Sequence, residues 1–201
     1  MRDQANDLFL GRQPILDRRQ HLVAYELLYR AGRESQARVT DDAVATAEVM
    51  RRAFKRIGIN TVLGECAGFV NVDAEMLYSH RIDALPTDRV VLELLETIAV
   101  DEQIVSRCRE LKQRGFRLAL DDFCSCADRY EPLLEIADIV KIDVPQLDPQ
   151  ALAALVRRLK LYPGRLLAEK VETMERAREC LALGFDLFQG FVFARPSLLI
   201  S

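Results

Sequence analysis

The chain has 201 residues, of which 50% are hydrophobic and 29% are charged, a balance typical of one ordinary globular domain. Its formal net charge of −3 disfavours bulk binding to nucleic acid, because proteins that grip the phosphate backbone usually carry excess positive charge. No apolar run reaches the roughly 18 residues of a membrane span and the charged start does not resemble a signal peptide, so we expect a cytoplasmic protein that does not enter the membrane.

Short strand-like runs alternate with amphipathic helical patterns along the chain. In chain order, the predicted strands are residues 8–15, 22–29, 68–72, 90–93, 117–121, 139–142, 166–169 and 186–190. Several later runs are continuously apolar, as in strands buried on both faces. The alternation predicts an α/β fold of the TIM type, a closed (β/α)8 barrel. No linker or internal repeat interrupts it, so we expect a single domain over residues 1–201.

The join between the first two predicted strands modifies this barrel. It consists of Asp17-Arg18-Arg19-Gln20, which is too short for a helical crossover. We therefore predict a hairpin and, with it, one antiparallel strand in an otherwise parallel barrel.

Four helices have recognisable ends. Thr40 caps the first, which carries an apolar face and is expected to stop at Gly58. Asp101 opens the second, which ends at Gly115, and Asp148 followed by proline opens the third. The fourth runs from Thr173 to Gly184.

Polar residues interrupt the apolar runs at the carboxyl ends of nearly all the predicted strands. These residues are Glu26, Asn71, Glu93, Asp121, Asp122, Lys141, Asp143, Glu169 and Gln189. In a parallel barrel such strand ends converge on the face where catalytic sites are built. For any one residue, a helix cap or a solvated loop is the more economical interpretation. That interpretation is much weaker for the whole set at matching strand positions.

Converging carboxylates repel one another, by roughly 4 kcal/mol for two charges about 4 Å apart at an effective dielectric near 20. Bound cations would relieve this repulsion, and oxygen ligands without His or Cys favour hard ions such as Mg²⁺, Mn²⁺ or Ca²⁺. Two such ions would form a phosphodiester-hydrolysis site. Glu96, Asp143 and Glu172 are expected to contact and position the neighbouring site residues.

Seven segments, in order, resemble the EAL-domain family of bacterial cyclic di-GMP phosphodiesterases and their inactive relatives. They are Glu26-Leu-Leu-Tyr-Arg30, Phe69-Val-Asn71, Glu93-Leu-Leu-Glu96, Asp121-Asp122-Phe123, Lys141-Ile-Asp143, Ala168-Glu-Lys-Val-Glu172 and Gln189-Gly-Phe191. The resemblance extends from about Leu10 to Pro196. It implies the same eight-strand barrel with one antiparallel strand.

The resemblance also implies roles for individual residues. It places metal ligands at Glu26, Asn71, Glu93 and Asp121, with Asp122 close by; activation of the attacking water at Glu169; and a polarising or phosphate-steadying group at Lys141. Gln13 and Arg30 match residues that touch the base and phosphate of the ligand. Gln189 and Glu172 complete the site. An active domain of this kind would use Mg²⁺ or Mn²⁺ and produce linear pGpG.

Several positions depart from the family pattern. The name-giving Glu-Ala-Leu is Glu26-Leu27-Leu28, and Asp-Asp-Phe-Gly-Thr-Gly is replaced by a glycine-free loop over residues 121–126. That loop is linked to metal binding and dimerisation in active relatives, and glycine alone adopts positive φ without strain. The stretch over residues 31–68 is shorter than usual. Lys170 replaces a glycine, which places a cation beside the site.

These departures resemble the EAL half of EAL–HDOD signalling proteins, in which an HDOD domain follows directly after the barrel. We expect a regulatory domain that binds cyclic di-GMP weakly, or acts through a protein partner or HDOD domain, with little or no hydrolysis and no required metal. The alternatives are an active Mg²⁺/Mn²⁺ phosphodiesterase and, more remotely, an unrelated metal-dependent barrel enzyme acting on a carboxylate or enolate. Homodimer formation is left open.

Overall fold

A computed structural model describes residues 9–29, 54–124 and 128–200. Within these residues nine strands form one sheet, in the order β2-β3-β4-β5-β6-β7-β8-β1-β9, which pairing between β1 and β2 closes into a barrel. The strands are β1 (Phe9–Asp17), β2 (Leu22–Tyr29), β3 (Ala67–Val72), β4 (Val90–Leu94), β5 (Arg117–Leu120), β6 (Ile139–Asp143), β7 (Arg165–Glu169), β8 (Leu187–Phe188) and β9 (Ser197–Ile200). The predicted eight-strand α/β barrel is confirmed, with one additional strand.

Strand β1 is the antiparallel strand that the short first connection predicts. It pairs antiparallel with β2 and, at Leu16 and Asp17, with β8, whereas β2 to β8 pair in parallel. The turn is held by the Asp17 carboxylate, which accepts hydrogen bonds from the backbone N–H groups of Arg19 and His21, each at 2.8 Å. The predicted hairpin is therefore confirmed.

Helices cover the outside of the barrel. They are α1 (Ile59–Leu63), α2 (Ala74–Tyr78), α3 (Glu102–Gln113), α4 (Glu131–Leu134), α5 (Pro149–Leu159) and α6 (Met174–Leu183). The predicted N-caps are present: the side chains of Asp101, Asp148 and Thr173 each accept hydrogen bonds from backbone N–H groups in the first turn. None of the helices in the described residues is long and apolar enough to cross a membrane.

The first predicted helix falls largely outside the described residues. Its described end is a π-helical turn, Phe54–Gly58, and α1 begins at the next residue. Gly58 has φ +90° and ends the π-helical turn, and α1 begins as a separate element whose N-cap is Gly58. The predicted stop at Gly58 therefore agrees with the end of the described turn, whereas α1, with its buried Val62 and Leu63, was not predicted.

Strand β9 was not predicted from the sequence. It pairs antiparallel with the first half of β1, from Phe9 opposite Ile200 to Arg12 opposite Ser197. The Arg12 guanidinium lies 4.4 Å from the centroid of the Tyr25 ring and donates to the backbone oxygen of Val62 at 2.5 Å. The start of β1 is thus tied to β2, α1 and β9 together.

The barrel interior contains a layer of eight buried apolar residues that is separate from the larger core between sheet and helices. The layer consists of Ile15, Ala24, Phe69, Val91, Ala119, Ile139, Leu167 and Leu187. Strands β1 to β8 each contribute one of them, so side chains fill the part of the barrel interior at the amino ends of the parallel strands. Residues two apart on a strand face the same side of the sheet. The residue two positions from each apolar-layer residue therefore also points into the barrel and forms a second inward layer.

Gly190 offers a test of how tightly the end of β8 is packed. A Cβ added there would lie 2.1 Å from the backbone oxygen of Val171 and 2.4 Å from its nitrogen, which itself donates to Gln189 at 3.1 Å. We expect Gly190→Ala to lower the free energy of unfolding by about 3 kcal/mol or more, measured by urea unfolding. Gly184→Asn is the control, because Gly184 adopts the left-handed conformation that Asn tolerates, and an added Cβ would meet only the flexible end of the Lys160 side chain. Equal stability of the two variants would contradict the close approach.

Candidate functional site

A layer of eight polar residues lies directly above the apolar layer in the barrel. Its members are Gln13, Glu26, Asn71, Glu93, Asp121, Lys141, Glu169 and Gln189. Each stands two residues from an apolar-layer residue of the same strand or strand end, and Gln13 precedes Ile15 because β1 runs in the opposite direction. Most of these residues, with Asp122 and Lys170, line a cavity of about 140 Å³. The alternation therefore brings the predicted site residues of eight separate segments together.

Lys141 occupies the centre of this polar layer. Its side chain is 1% exposed, and its ammonium contacts Glu93, lies 2.8 Å from Asp121 Oδ1 and 2.9 Å from Glu169 Oε1. Glu26 Oε1 is 3.7 Å away, and Gln189 donates from its amide nitrogen to the other Glu26 oxygen. One buried cation thus holds four carboxylates that would otherwise repel one another.

The pKa values of these groups reflect their burial, the central lysine and the neighbouring carboxylates. Burial acts to lower the pKa of Lys141, but the surrounding carboxylates outweigh it and hold that pKa well above its usual range. Burial raises the pKa of Glu93 well above normal and that of Glu169 to about 8, and neighbouring carboxylates add to both shifts. Asp121 is the exception, because contact with Lys141 outweighs its burial and lowers its pKa. Near neutral pH, Lys141 stays charged while Glu169 can hold a proton.

Several buried oxygens in this region have no hydrogen-bond donor among the described residues. They are Asn71 Oδ1, Glu93 Oε2, Asp143 Oδ1, Glu169 Oε2 and Gln189 Oε1. Buried acceptors are normally satisfied, so a cluster of unsatisfied oxygens indicates a place for a cation or a donating ligand. Carboxylate and amide oxygens are the ligands that Mg²⁺ and Mn²⁺ prefer. The donor set therefore fits a hard divalent ion.

A second group of charges lies beside the polar layer. The Lys170 ammonium contacts Asp143 Oδ2 and lies 3.6 Å from Asp122 Oδ1. The side-chain amide of Gln146 also donates to Asp143, at 2.8 Å. Burial opposes the charge of Lys170, but the hydrogen bond to Asp143 prevails and raises the Lys170 pKa. Lys170 is therefore a charged group directed at the acidic site.

Glu96, Asp121 and Asp122 form an acidic trio that shares Asp121 with the polar layer and Asp122 with the Lys170 group. One carboxylate oxygen from each lies within 4.8 Å of the others. They border a second cavity of about 210 Å³ whose wall includes the apolar side chains of Phe123 and Tyr130. Burial and the neighbouring Asp121 raise the pKa of Asp122.

Two predicted site residues remain, Glu172 and Arg30. Glu172 is exposed, just before α6, and does not line the 140 Å³ cavity. Arg30 and residues 125–127 lie outside the described residues. Sequence reasoning missed Gln146, which holds Asp143. Its position three residues after Asp143, in a proline-containing turn (Val144–Gln146), is the signal that was available.

Comparison with known proteins identifies the family. The profile of the EAL domain matches residues 2–196. The uncharacterized protein YuxH of Bacillus subtilis is 35% identical over 196 residues, covering 96% of this chain and 48% of that protein. The cyclic di-GMP phosphodiesterase CdgJ of Vibrio cholerae is 33% identical over 195 residues, covering 95% of this chain and 45% of that protein. The chain belongs to the EAL-domain family and spans about half the length of these two relatives.

Solved structures agree on the fold. The manganese and cyclic di-GMP complex of Klebsiella pneumoniae BlrP1 aligns with a TM-score of 0.74 and 23% identity, covering 98% of this chain and 58% of that one. At this identity the likeness supports the barrel alone. Because the chain belongs to the EAL-domain family, the alternative that it is an unrelated metal-dependent barrel enzyme is wrong.

Replacing Lys141 tests whether its ammonium neutralises the carboxylates of the polar layer. We expect Lys141→Met to lower the free energy of unfolding of the metal-free protein by about 3–5 kcal/mol, because Glu93 and its neighbours would lose their buried cation. Added Mn²⁺ should recover part of that loss. The control is Lys112→Met, since the ion pair of Lys112 with Asp138 is partly exposed and contributes about 1 kcal/mol or less. Equal effects in the two variants would contradict the role of Lys141.

Glu169 predicts a pH dependence of stability. Its pKa rises from the usual 4.5 to about 8 in the folded protein, so between these values the folded state holds a proton that the unfolded state has released. The stabilisation is fully present below about 4.5 and is lost as the pH rises towards 8, with a slope of up to about 1.4 kcal/mol per pH unit. Glu169→Gln should make this slope shallower in urea unfolding between pH 5 and 8 with EDTA. Exposed Glu75→Gln should leave the slope as it is in the unsubstituted protein. An unchanged slope in Glu169→Gln would contradict the shift.

Proposed function

We propose that this chain is a divergent EAL domain of a bacterial cyclic di-GMP signalling protein, which binds cyclic di-GMP weakly and hydrolyses it little or not at all. The observation that carries the proposal is that two lysines of the chain already compensate the acidic site. Lys141 binds the ring of four carboxylates, and Lys170 contacts Asp143 and approaches Asp122. A metal ion or a phosphate must compete with these internal contacts.

Weak binding follows from the charges in the cavity. Cyclic di-GMP carries two phosphodiester anions, and the cavity wall contains Glu26, Asp121, Asp122 and Glu169 against two lysines. Carboxylates repel a phosphate unless a cation intervenes. The Lys170 ammonium is the more accessible of the two, at 55% side-chain exposure against 1% for Lys141. Gln13 also lines the cavity and offers an amide to a base or phosphate.

The residues that would hold a divalent ion are Glu26, Asn71, Glu93 and Asp121, with Asp122 beside them. Such an ion, when bound, would polarise a phosphodiester and the water that attacks it. Glu169 would take a proton from that water only when it is deprotonated, and its pKa of about 8 leaves it largely protonated near neutral pH. Lys141, 2.9 Å from Glu169 Oε1, orients that carboxyl and adds positive charge.

The backbone around the site supports low turnover. Asp122 and Lys170 both adopt positive φ, +43° and +53°, in conformations that glycine adopts with less strain. Cys124, in the glycine-free loop, is exposed. Catalysis requires groups placed within about 0.5 Å of the productive geometry, and the identity of the ligands alone does not supply this.

The second candidate is an active Mg²⁺- or Mn²⁺-dependent phosphodiesterase that produces pGpG. It is favoured by the retained carboxylate ring and its unsatisfied oxygens. In that reaction the oxygen of water would bond to phosphorus and displace one ester oxygen, which would leave with a proton.

We further propose a cytoplasmic protein in which residues 1–201 form one EAL-like domain, followed by an HDOD domain. In this arrangement the barrel passes its signal to the HDOD domain or another protein partner, or through a homodimer. Support comes from the resemblance to EAL–HDOD proteins and from relatives about twice the length of this chain.

Incubation with cyclic di-GMP and Mn²⁺, followed by chromatography, tests the proposal. We expect pGpG formation at least about 100-fold slower than that of an active EAL phosphodiesterase assayed in parallel, because small misplacements reduce rates by this factor. Calorimetric titration should give a Kd above about 1 μM. Circular dichroism confirms that the sample is folded. Tight binding together with metal-dependent pGpG formation would refute the proposal and establish the second candidate.

A further inference from the structure

The acidic site has two halves, each organised around one lysine. In the first half, Lys141 faces four carboxylates. In the second half, Lys170 faces two, those of Asp143 and Asp122. The halves therefore differ in how completely the chain neutralises its own acidic groups.

The first half retains capacity for a further cation. Glu93 and Glu169, 0% and 6% exposed, each keep one oxygen without a donor among the described residues, as does the amide oxygen of Asn71. Four carboxylates against one ammonium leave an excess of negative charge, which a divalent ion can balance. Its binding would require Lys141 to give up some of its carboxylate contacts.

The second half is more nearly satisfied. Asp143 is 5% exposed, and its Oδ2 accepts from both the Lys170 ammonium and the Gln146 amide. Asp143 Oδ1 is the one buried oxygen of this half without a donor among the described side chains. The Lys170 ammonium lies 3.6 Å from Asp122 Oδ1. A divalent ion bound to Asp122, either beside Asp143 or within the trio of Glu96, Asp121 and Asp122, would therefore lie near this ammonium, and like charges at such distances repel.

The backbone directs Lys170 to this position. Lys170 directly follows β7 with φ +53°, and the next residue, Val171, is fixed by a hydrogen bond to Gln189 at 3.1 Å. The Lys170 ammonium remains on Asp143 although its side chain is 55% exposed. A lysine in a backbone conformation that favours glycine, paired with a buried carboxylate, is consistent with a specific role for its charge.

We propose that Lys170 serves as the built-in cation of the second half, so that the protein binds one divalent ion, in the first half, instead of a pair. The proposal deepens the proposed function and rests on its assignment of the metal ligands. It also gives a reason for low hydrolysis, because an ammonium cannot replace the second ion of a two-ion phosphodiester site.

Counting bound Mn²⁺ tests the proposal without an activity assay. We expect calorimetry and the electron paramagnetic resonance signal of free Mn²⁺ to give one ion per chain for the unsubstituted protein. Lys170→Gly and Lys170→Asn should each bind two, with a spectrum showing coupling between neighbouring ions. Both replacement residues tolerate positive φ, so both variants should fold, which circular dichroism checks.

Two controls separate charge from other effects. Lys170→Arg keeps the cation and should still bind one ion. Lys112→Ala removes a lysine whose partner, Asp138, lies before β6 at the opposite end of the barrel, and should also bind one. Two ions or none in the unsubstituted protein, or one ion in both Lys170→Gly and Lys170→Asn, would overturn the proposal.

The ion count and the proposed function can fail separately. One ion per chain with rapid pGpG formation would refute the proposed low turnover and leave the role of Lys170 intact. Two ions per chain with little pGpG formation would refute the role of Lys170 and leave the proposed low turnover intact.

Discussion

The contact between the Lys141 ammonium and four carboxylates is the interaction on which the upper half of the barrel depends. The barrel closes by pairing eight strands, and its alternation directs one polar residue per strand into the same small space. Without a central cation, these carboxylates would have to be protonated or separated, and separation would break the register of the sheet. Lys141 neutralises part of this charge, while burial and the neighbouring carboxylates still hold the pKa values of Glu93 and Glu169 above normal.

The antiparallel strand β1 belongs to the same scheme. Because β1 runs in the opposite direction, the residue above Ile15 in the barrel is Gln13, which precedes it in the chain, and Gln13 lies opposite Glu26 in the register of β1 and β2. The hairpin therefore adds a neutral amide to a ring dominated by charge. The attachment of β9 and the Arg12 guanidinium to the start of β1 stabilises the strand that presents this amide.

Much of the fold could be predicted because its signals are local. Apolar runs locate the strands, Asp101, Asp148 and Thr173 mark helix starts, and the brevity of the first connection requires an antiparallel strand. Seven of the eight residues of the polar layer were also predictable, since polar residues near the carboxyl ends of parallel strands converge on one face of a barrel. Gln13 lies in the middle of β1 and was expected only from the family resemblance. Strand β9 was missed because its four residues have no periodicity of their own and form a strand by pairing with β1. The contacts of Lys141 and Lys170 depend on three-dimensional distances, which spacing along the chain does not encode.

An internal ammonium has opposite effects on the stability of an acidic site and on the affinity of that site for metal. An internal ammonium stabilises the metal-free fold by neutralising buried carboxylates, but each such contact must be given up before a metal ion can use the same oxygens. A site that depends on metal for its stability binds metal tightly, whereas a site already neutralised by its own chain binds metal weakly. In the role proposed for it, Lys170 would move this domain towards weak metal binding, because its ammonium contacts Asp143 and lies near Asp122, outside the four carboxylates that Lys141 contacts. Under the proposed function, the domain would keep its fold without metal and would present its cavity to a ligand or its surface to a partner, a combination that suits regulation better than turnover.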